Sequence, residues 1–222
     1  NPQNWGEGQW GGEIKNVVAM GDEFVHLAEF AWFKLEPVEC KFDFAWLDKV
    51  VNLCEKYNLK VLMCTPSATL PAWMRQKYPE TYLMYGNYIR GEHGTRGLAS
   101  ITNIKFKFFV QRIVTELANH YGQNKNIIGW QLDNEPEAKT DYSPSSKIAF
   151  REWLLNKYQH IDSMNAAWGN AFWSQRYNNF NQVIIPNTTL VNWWGNNPHA
   201  LLDLKRYSAD AQANFLDLQS AV

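Results

Sequence analysis

The sequence has little net charge, few cysteines and no long apolar run. Its 222 residues include 21 basic and 22 acidic side chains, for a formal net charge of −1. It therefore lacks the basic surplus typical of proteins that bind nucleic acids or acidic membrane surfaces. No apolar stretch approaches the roughly 20 residues that a membrane-spanning helix requires. We expect neither a nucleic acid nor a membrane among its partners.

The three cysteines, Cys40, Cys54 and Cys64, form no close pair in the sequence. Their spacing fits neither a zinc site nor the disulfide framework of a small secreted protein. Their apolar surroundings predict buried free thiols, which favours the cytoplasm and leaves the periplasm as an alternative. The five histidines show no helical i, i+4 pair, so we expect no metal site.

The sequence also lacks the nucleophile elbow, the P-loop and the H-E-x-x-H motif. Residues 6–11 match the G-x-G-x-x-G pattern, but only five residues precede it and a Trp lies between its glycines. A dinucleotide site needs a strand before these glycines and a helix after them. We predict an ordinary loop here and no bound nucleotide.

Aromatic residues are abundant, with 11 Trp, 10 Tyr and 12 Phe making up 15% of the chain. Such rings can simply fill a large core. Bordered by Asn, Gln, Glu and Arg, they also suit sugars, which present C–H faces and hydroxyl edges. Composition alone leaves both interpretations open.

Short apolar segments alternate with helical patterns along the first two thirds of the chain. Buried strands are predicted at 23–30, 59–65 and 126–132, and helices around 44–54, 106–121, 148–158 and 201–218. Asp43 is the expected N-cap of the first helix, and Asn58 and Gly122 are expected stops. Residues 170–198 look irregular, with one further possible strand at 182–185. The pattern predicts a parallel α/β sheet, either open or part of an eight-stranded barrel that needs about 250 residues.

The third predicted strand ends in Asp133, Asn134 and Glu135. In α/β barrels this carboxyl edge carries the catalytic groups. A Glu beside apolar walls would hold a proton near neutral pH and could donate it to a leaving oxygen, while Asn134 could hydrogen-bond a substrate hydroxyl. The alternative is a solvated strand end with ordinary turn residues.

The order of several motifs resembles glycoside hydrolase family forty-two, the β-galactosidases, over nearly the whole chain. The similar segments are 2–5, 29–32, 35–37, 42–48, 65–66, 71–73, 78–80, 94–96, 129–135, 150–154, 165–169 and 172–175. The resemblance implies a retaining exo-glycosidase on a (β/α)8 barrel that hydrolyses terminal β-D-galactosides without a cofactor. It implies Glu135 as general acid/base, Arg96 and Asn134 as sugar-hydroxyl contacts, and Trp173 as a wall of the galactose subsite. A homotrimer is a further implication.

The chain departs from the family pattern in three places. The nucleophilic glutamate, at the end of the seventh barrel strand, has no counterpart before Val222, and the first barrel strand has none after Asn1. Ser100 stands where some members have the first of four zinc-binding cysteines, so that zinc is not expected. We predict that residues 1–222 form an incomplete TIM-barrel catalytic domain, strands two to four with their helices. Alone, this fragment should leave two sheet edges open and hydrolyse nothing.

Two other functions stay open at this stage. An α-L-arabinopyranoside differs from a β-galactoside mainly by its missing hydroxymethyl group, so the same family chemistry could act on it. Alternatively, the barrel could bind carbohydrate without turning it over. A glutamate at the end of the seventh strand would favour an enzyme, and its replacement would favour a binding protein.

Overall fold

The three predicted strands form one parallel sheet in the order β1-β2-β3. The computed structural model describes residues 2–191 and 196–222. The strands are β1 (Phe24–Leu27), β2 (Lys60–Cys64) and β3 (Ile127–Gln131). Leu27 pairs with Met63 and Cys64 pairs with Gln131, so the carboxyl ends of all three strands lie along the same edge. This confirms the predicted α/β class.

The helices alternate with the strands and then follow them. Within the described residues they are α1 (Glu7–Ala19), α2 (Trp32–Leu35), α3 (Ala45–Lys56), α4 (Ala72–Lys77), α5 (Ile104–Tyr121), α6 (Pro144–Tyr158), α7 (Ile161–Trp168) and α8 (Pro198–Ser220). The four predicted helices correspond to α3, α5, α6 and α8. Helices α6 and α8 begin earlier than the sequence pattern predicts. Pro144 and Pro198 occupy their first turns, directly after the N-caps Ser143 and Asn197. No described helix is long and apolar enough to cross a membrane.

Two apolar cores hold these elements together. The larger packs α1, α3 and α5 against the sheet, and Trp32, Leu47, Val61, Met63 and Phe106 are among its fully buried side chains. The smaller lies among α6, α7 and α8. Phe106 of α5 stacks on Phe215 of α8 with ring centroids 5.6 Å apart, and this contact joins α8 to the sheet core.

The ends of α3 and α5 largely follow the sequence signals. Asn58 has a φ of 56° just after α3, a left-handed conformation that ends a helix, and Gly122 caps α5. The predicted N-cap of α3, Asp43, was wrong by one residue. Phe44 occupies that position, although the Asp43 carboxylate accepts a hydrogen bond from the Ala45 N–H at 3.0 Å.

Two other expectations about local structure were wrong. The glycine-rich residues 6–11 are not a loop, because α1 begins at Glu7 and runs through them while burying Trp10 and Ile14. No strand forms at 182–185; a 3₁₀ turn covers Phe180–Gln182, and the Val183 carbonyl accepts a hydrogen bond from Arg151 of α6 instead of a sheet partner. Residues 192–195 of the predicted irregular stretch lie outside the described residues.

The cysteines divide into two kinds. Cys54 and Cys64 are buried as expected, and burial raises the pKa of the first thiol to about 11 and of the second to about 12, so both are poor nucleophiles. Cys40 is exposed, contrary to expectation. It lies in the turn between α2 and α3 with a φ of 63°, where its backbone N–H donates to Glu36 at 2.8 Å.

Candidate active site

A cleft lies at the carboxyl edge of the sheet, where the predicted Asp133-Asn134-Glu135 sequence follows β3. Arg96, Asn134 and Glu135 all line it, together with Ser67, Asp133, Glu137, Lys139 and Asp141. Its volume is about 160 Å³, below the roughly 300–1,000 Å³ of typical ligand pockets. The structure therefore brings together three of the four predicted site residues in a small cleft that polar and apolar side chains line together.

Glu135 and Arg96 are in direct contact. The Arg96 Nη2 atom donates to Glu135 Oε2 at 2.6 Å, across 39 residues of sequence. Both side chains are open to solvent, with 49% of Arg96 and 73% of Glu135 exposed. Apolar side chains such as Leu83, Ile101 and Phe215 also line the cleft, while the Glu135 side chain itself is mostly exposed. An ion pair this exposed contributes at most about 1 kcal/mol to folding, so its main effect is to orient the two groups.

Asn134 offers an unused hydrogen-bond donor in the same cleft. Its side-chain Nδ2 atom is buried and has no partner among the described residues, while its backbone N–H donates to Asp133 Oδ1 at 2.7 Å. A buried amide nitrogen without an acceptor is costly, and ligand oxygens are one way to satisfy it. This donor fits the predicted contact with a substrate hydroxyl.

Trp173 lies in a different setting from the other three residues. It belongs to the 3₁₀ turn Phe172–Ser174, has a φ of 49° and stacks on Phe172 with ring centroids 4.5 Å apart. Its side chain is 66% exposed, and it does not line the cleft around Glu135. An exposed ring pair on a left-handed backbone is available for sugar stacking, but the described residues do not join it to Glu135.

A series of buried hydrogen bonds fixes the backbone segment that carries Glu135. The Asp133 N–H donates to the Thr65 hydroxyl at 2.7 Å, and that hydroxyl donates to Gln219 Oε1 at 2.6 Å. Ser67 donates to the same Gln219 oxygen at 3.1 Å. The end of α8 thus fixes the ends of β2 and β3 relative to each other. Sequence reasoning missed these hydrogen bonds, because single polar residues in separate segments give no local signal.

Asp133 has the clearest electrostatic perturbation in the cleft. Burial raises the pKa of this carboxyl above its ordinary value, and hydrogen bonds from Asn134 and Ser67 together with the charge of Lys139 only partly oppose the shift. The folded pKa thus exceeds the unfolded one. The stability linked to this group is fully present below the unfolded pKa of about 3.9 and is lost as the pH rises through the folded pKa.

Replacing Asp133 by Asn should therefore stabilise the folded protein near neutral pH. The amide keeps an oxygen for the Asn134 N–H and never ionises. We expect the melting temperature of D133N to exceed that of the unmodified protein at pH 7, with the difference shrinking toward pH 4. Asp22→Asn, at an exposed position, is the control and should show no such trend. A D133N melting temperature lowered equally at every pH would contradict this account.

The position of Ser100 can be tested against a zinc site. Its buried hydroxyl donates to Asp141 Oδ2 at 2.6 Å and lies 3.1 Å from the hydroxyls of Ser143 and Ser145. Zinc sites in proteins use thiolate, imidazole and carboxylate ligands, whereas this group offers three hydroxyls and a single carboxylate that already accepts hydrogen bonds. These residues do not fit a zinc ion. No cluster of three metal-ligating side chains occurs among residues 2–191 and 196–222.

Comparison with known proteins decides the family. The family model described as beta-galactosidase, that of glycoside hydrolase family forty-two, matches residues 1–222. The chain belongs to this family. A beta-galactosidase of Haloferax lucentense is 34% identical over 100% of the chain and 33% of its own length, and one of Thermus thermophilus is 35% identical over 98% of the chain and 34% of its own.

Solved structures of this family have the same fold. A beta-galactosidase from the psychrophilic Marinomonas ef1 superposes with a TM-score of 0.91 at 30% identity, covering 98% of the chain and 33% of that structure. Gan42B, a family member, gives a TM-score of 0.93 at 30% identity over 99% of the chain and 32% of its own. The predicted partial TIM barrel is thereby confirmed, and the chain spans about a third of the length of these relatives.

Proposed function

We propose that this chain supplies the acid/base half of a retaining exo-glycosidase that hydrolyses terminal β-D-galactosides. The observation that carries the proposal is the contact of Glu135 with Arg96 beside the unpaired Asn134 amide, at the carboxyl edge of a parallel sheet. That edge carries catalytic groups in TIM barrels. The names of the family relatives support the galactoside as substrate.

In the proposed reaction, Glu135 works in two steps. It first protonates the departing glycosidic oxygen while a second glutamate, outside residues 1–222, attacks the anomeric carbon. As a carboxylate, it then takes a proton from the water that cleaves the glycosyl-enzyme bond. Retention requires the two carboxyl groups to lie about 5–5.5 Å apart. Residues 1–222 alone should therefore not hydrolyse a galactoside.

Arg96 and Asn134 would bind the sugar during both steps. The guanidinium and the free amide N–H are donors, which suits the hydroxyl oxygens of a pyranose. Trp173 would supply an apolar ring for the C–H face of the sugar. Because Trp173 does not line the cleft of Glu135, this last role requires that other parts of the protein complete the subsite between them.

The anomeric form of the first product tests this function. With the full-length protein that contains this chain and 4-nitrophenyl β-D-galactoside, we expect proton NMR to show β-galactose first, before mutarotation produces the α form. An initial α product would contradict the retaining mechanism. The same assay with 4-nitrophenyl α-L-arabinopyranoside separates the two sugar specificities. Galactose binding without any turnover would support the non-catalytic alternative instead.

A further inference from the structure

Asp141 is a buried carboxylate that accepts four hydrogen bonds. Oδ1 accepts from the backbone N–H groups of Met84 at 2.9 Å and Ser143 at 2.8 Å. Oδ2 accepts from the hydroxyls of Ser100 at 2.6 Å and Ser143 at 2.8 Å. The residue is only 8% exposed. Among the described residues no lysine or arginine forms an ion pair with it, so these four donors alone offset the cost of burying its charge.

These hydrogen bonds join two segments that are distant in sequence. Met84 and Ser100 belong to the segment before α5, whereas Asp141 and Ser143 belong to the segment between β3 and α6. A backbone hydrogen bond from Tyr142 to the Met84 carbonyl at 2.9 Å reinforces the connection. Asp141 is therefore the carboxylate at which the two segments meet.

The same two segments carry the pair at the candidate active site. Arg96 precedes Ser100 by four residues, and Glu135 precedes Asp141 by six. Between these points Lys139 Nζ donates to the Gly97 carbonyl at 3.2 Å. Gly97 has a φ of +67°, a left-handed conformation that favours glycine. The two segments are thus joined at two places, at one end by the Arg96–Glu135 contact and at the other by the hydrogen bonds of Asp141.

Helix capping does not account for Asp141. The Ser143 hydroxyl already accepts the Ser146 N–H at 3.2 Å and caps α6. A buried carboxylate is also an inefficient source of stability compared with an apolar side chain. What Asp141 provides beyond a cap is a fixed distance between the segment of Arg96 and that of Glu135.

We propose that Asp141, through Ser100, is a positioning residue that holds Glu135 at the depth and angle needed for proton transfer. The inference rests on the proposed role of Glu135 as general acid/base. An acid displaced by about 1 Å can lose about 100-fold in rate. The loss should be confined to substrates whose leaving group needs a proton. A substrate such as 2,4-dinitrophenyl β-D-galactoside, with an acidic leaving group, should be nearly unaffected in its first step.

The test compares Asp141→Asn and Ser100→Ala with Asp203→Asn in the full-length protein. Asp203 is the control, a buried carboxylate in the core of α6, α7 and α8 that does not line the cleft. It accepts from Tyr158 and Trp168 and, unlike Asp141, also forms ion pairs with Lys157 and Arg206. For D141N we expect kcat/KM on lactose to fall about 10- to 100-fold and on the dinitrophenyl galactoside less than about threefold. S100A should show the same pattern, more weakly. D203N should change both substrates equally.

Each outcome is decisive. If D141N does not fold, S100A carries the test, because it removes only the hydroxyl that crosses between the segments. Glu135→Gln should itself lose more kcat/KM on lactose than on the dinitrophenyl galactoside. If it does, an equal loss of kcat/KM on both substrates for D141N, or no loss, would overturn the positioning role. If Glu135→Gln lacks that difference, the proposed function itself fails. In the Glu135→Gln background, D141N should add no further loss on lactose.

Discussion

Glu135→Gln should lower kcat on lactose by about 100- to 10,000-fold, the usual contribution of general acid/base catalysis. The amide keeps the size of the side chain and can still accept from Arg96, but it cannot donate a proton to the glycosidic oxygen. Hydrolysis of the dinitrophenyl galactoside should stall after the first step, because no carboxylate remains to activate water. A burst of dinitrophenol followed by slow turnover is the expected time course.

Azide gives a second readout of the same variant. A small anion needs no general base, so sodium azide should restore turnover of the dinitrophenyl galactoside and yield β-galactosyl azide. Glu137→Gln is the matched control, since Glu137 lines the same cleft and lies 3.8 Å from Lys139 in an exposed pair. Its activity should stay close to that of the unmodified protein. Undiminished lactose turnover by Glu135→Gln would remove Glu135 from the mechanism.

Arg112→Met should destabilise the fold by about 3–5 kcal/mol, the usual cost of breaking a buried ion pair from one side. Glu36 is fully buried, and its carboxylate accepts from the Arg112 guanidinium, the Trp32 indole N–H and the Cys40 N–H. Methionine would fill much of the space of Arg112 but leave the buried charge of Glu36 without a cation. The guanidinium also lies over the ring of Phe109, 4.9 Å from its centroid, and this contact would be lost as well.

Lys49→Met provides the comparison for the Arg112 variant. Lys49 pairs with Glu7 at 2.7 Å, but more than half of each side chain is exposed. Such a pair contributes at most about 1 kcal/mol. Calorimetric melting of the two variants should show a large decrease for R112M and a small one for K49M. Equal melting temperatures would show that the Glu36 carboxylate does not depend on Arg112.

The three strands could be predicted from the sequence because strands buried by helices on their faces are short, apolar and bounded by turn residues. Helix ends were harder to place. The glycines of residues 6–11 suggested a loop, yet Glu7 in the first turn and the buried Trp10 and Ile14 outweigh the poor helix propensity of glycine. The starts of α6 and α8 could have been predicted from an N-cap residue followed by proline, whereas the apolar pattern alone begins later in each helix.

The candidate site was only partly predictable. Asn134 and Glu135 follow from their place at a strand end. Arg96 came from the family resemblance, as a sugar-hydroxyl contact, and its ion pair with Glu135 was not predicted. Asp141 was missed because its partners Met84 and Ser100 are 57 and 41 residues away. The exposure of the Glu135 side chain could not be predicted, because burial at a strand end depends on what packs over it. Local spacing does not contain that information.

The backbone at the edge of the sheet has a consequence for evolution. Asp133 and Glu135 have φ values of 61° and 46°, and Ala28, just after β1, has 81°. Left-handed conformations of this kind cost non-glycine residues roughly 1–2 kcal/mol each. Glycine would relieve that penalty at position 135 while deleting the carboxyl group. Variants selected only for heat resistance should therefore drift toward inactivity here, and the retention of Glu135 would indicate selection for turnover.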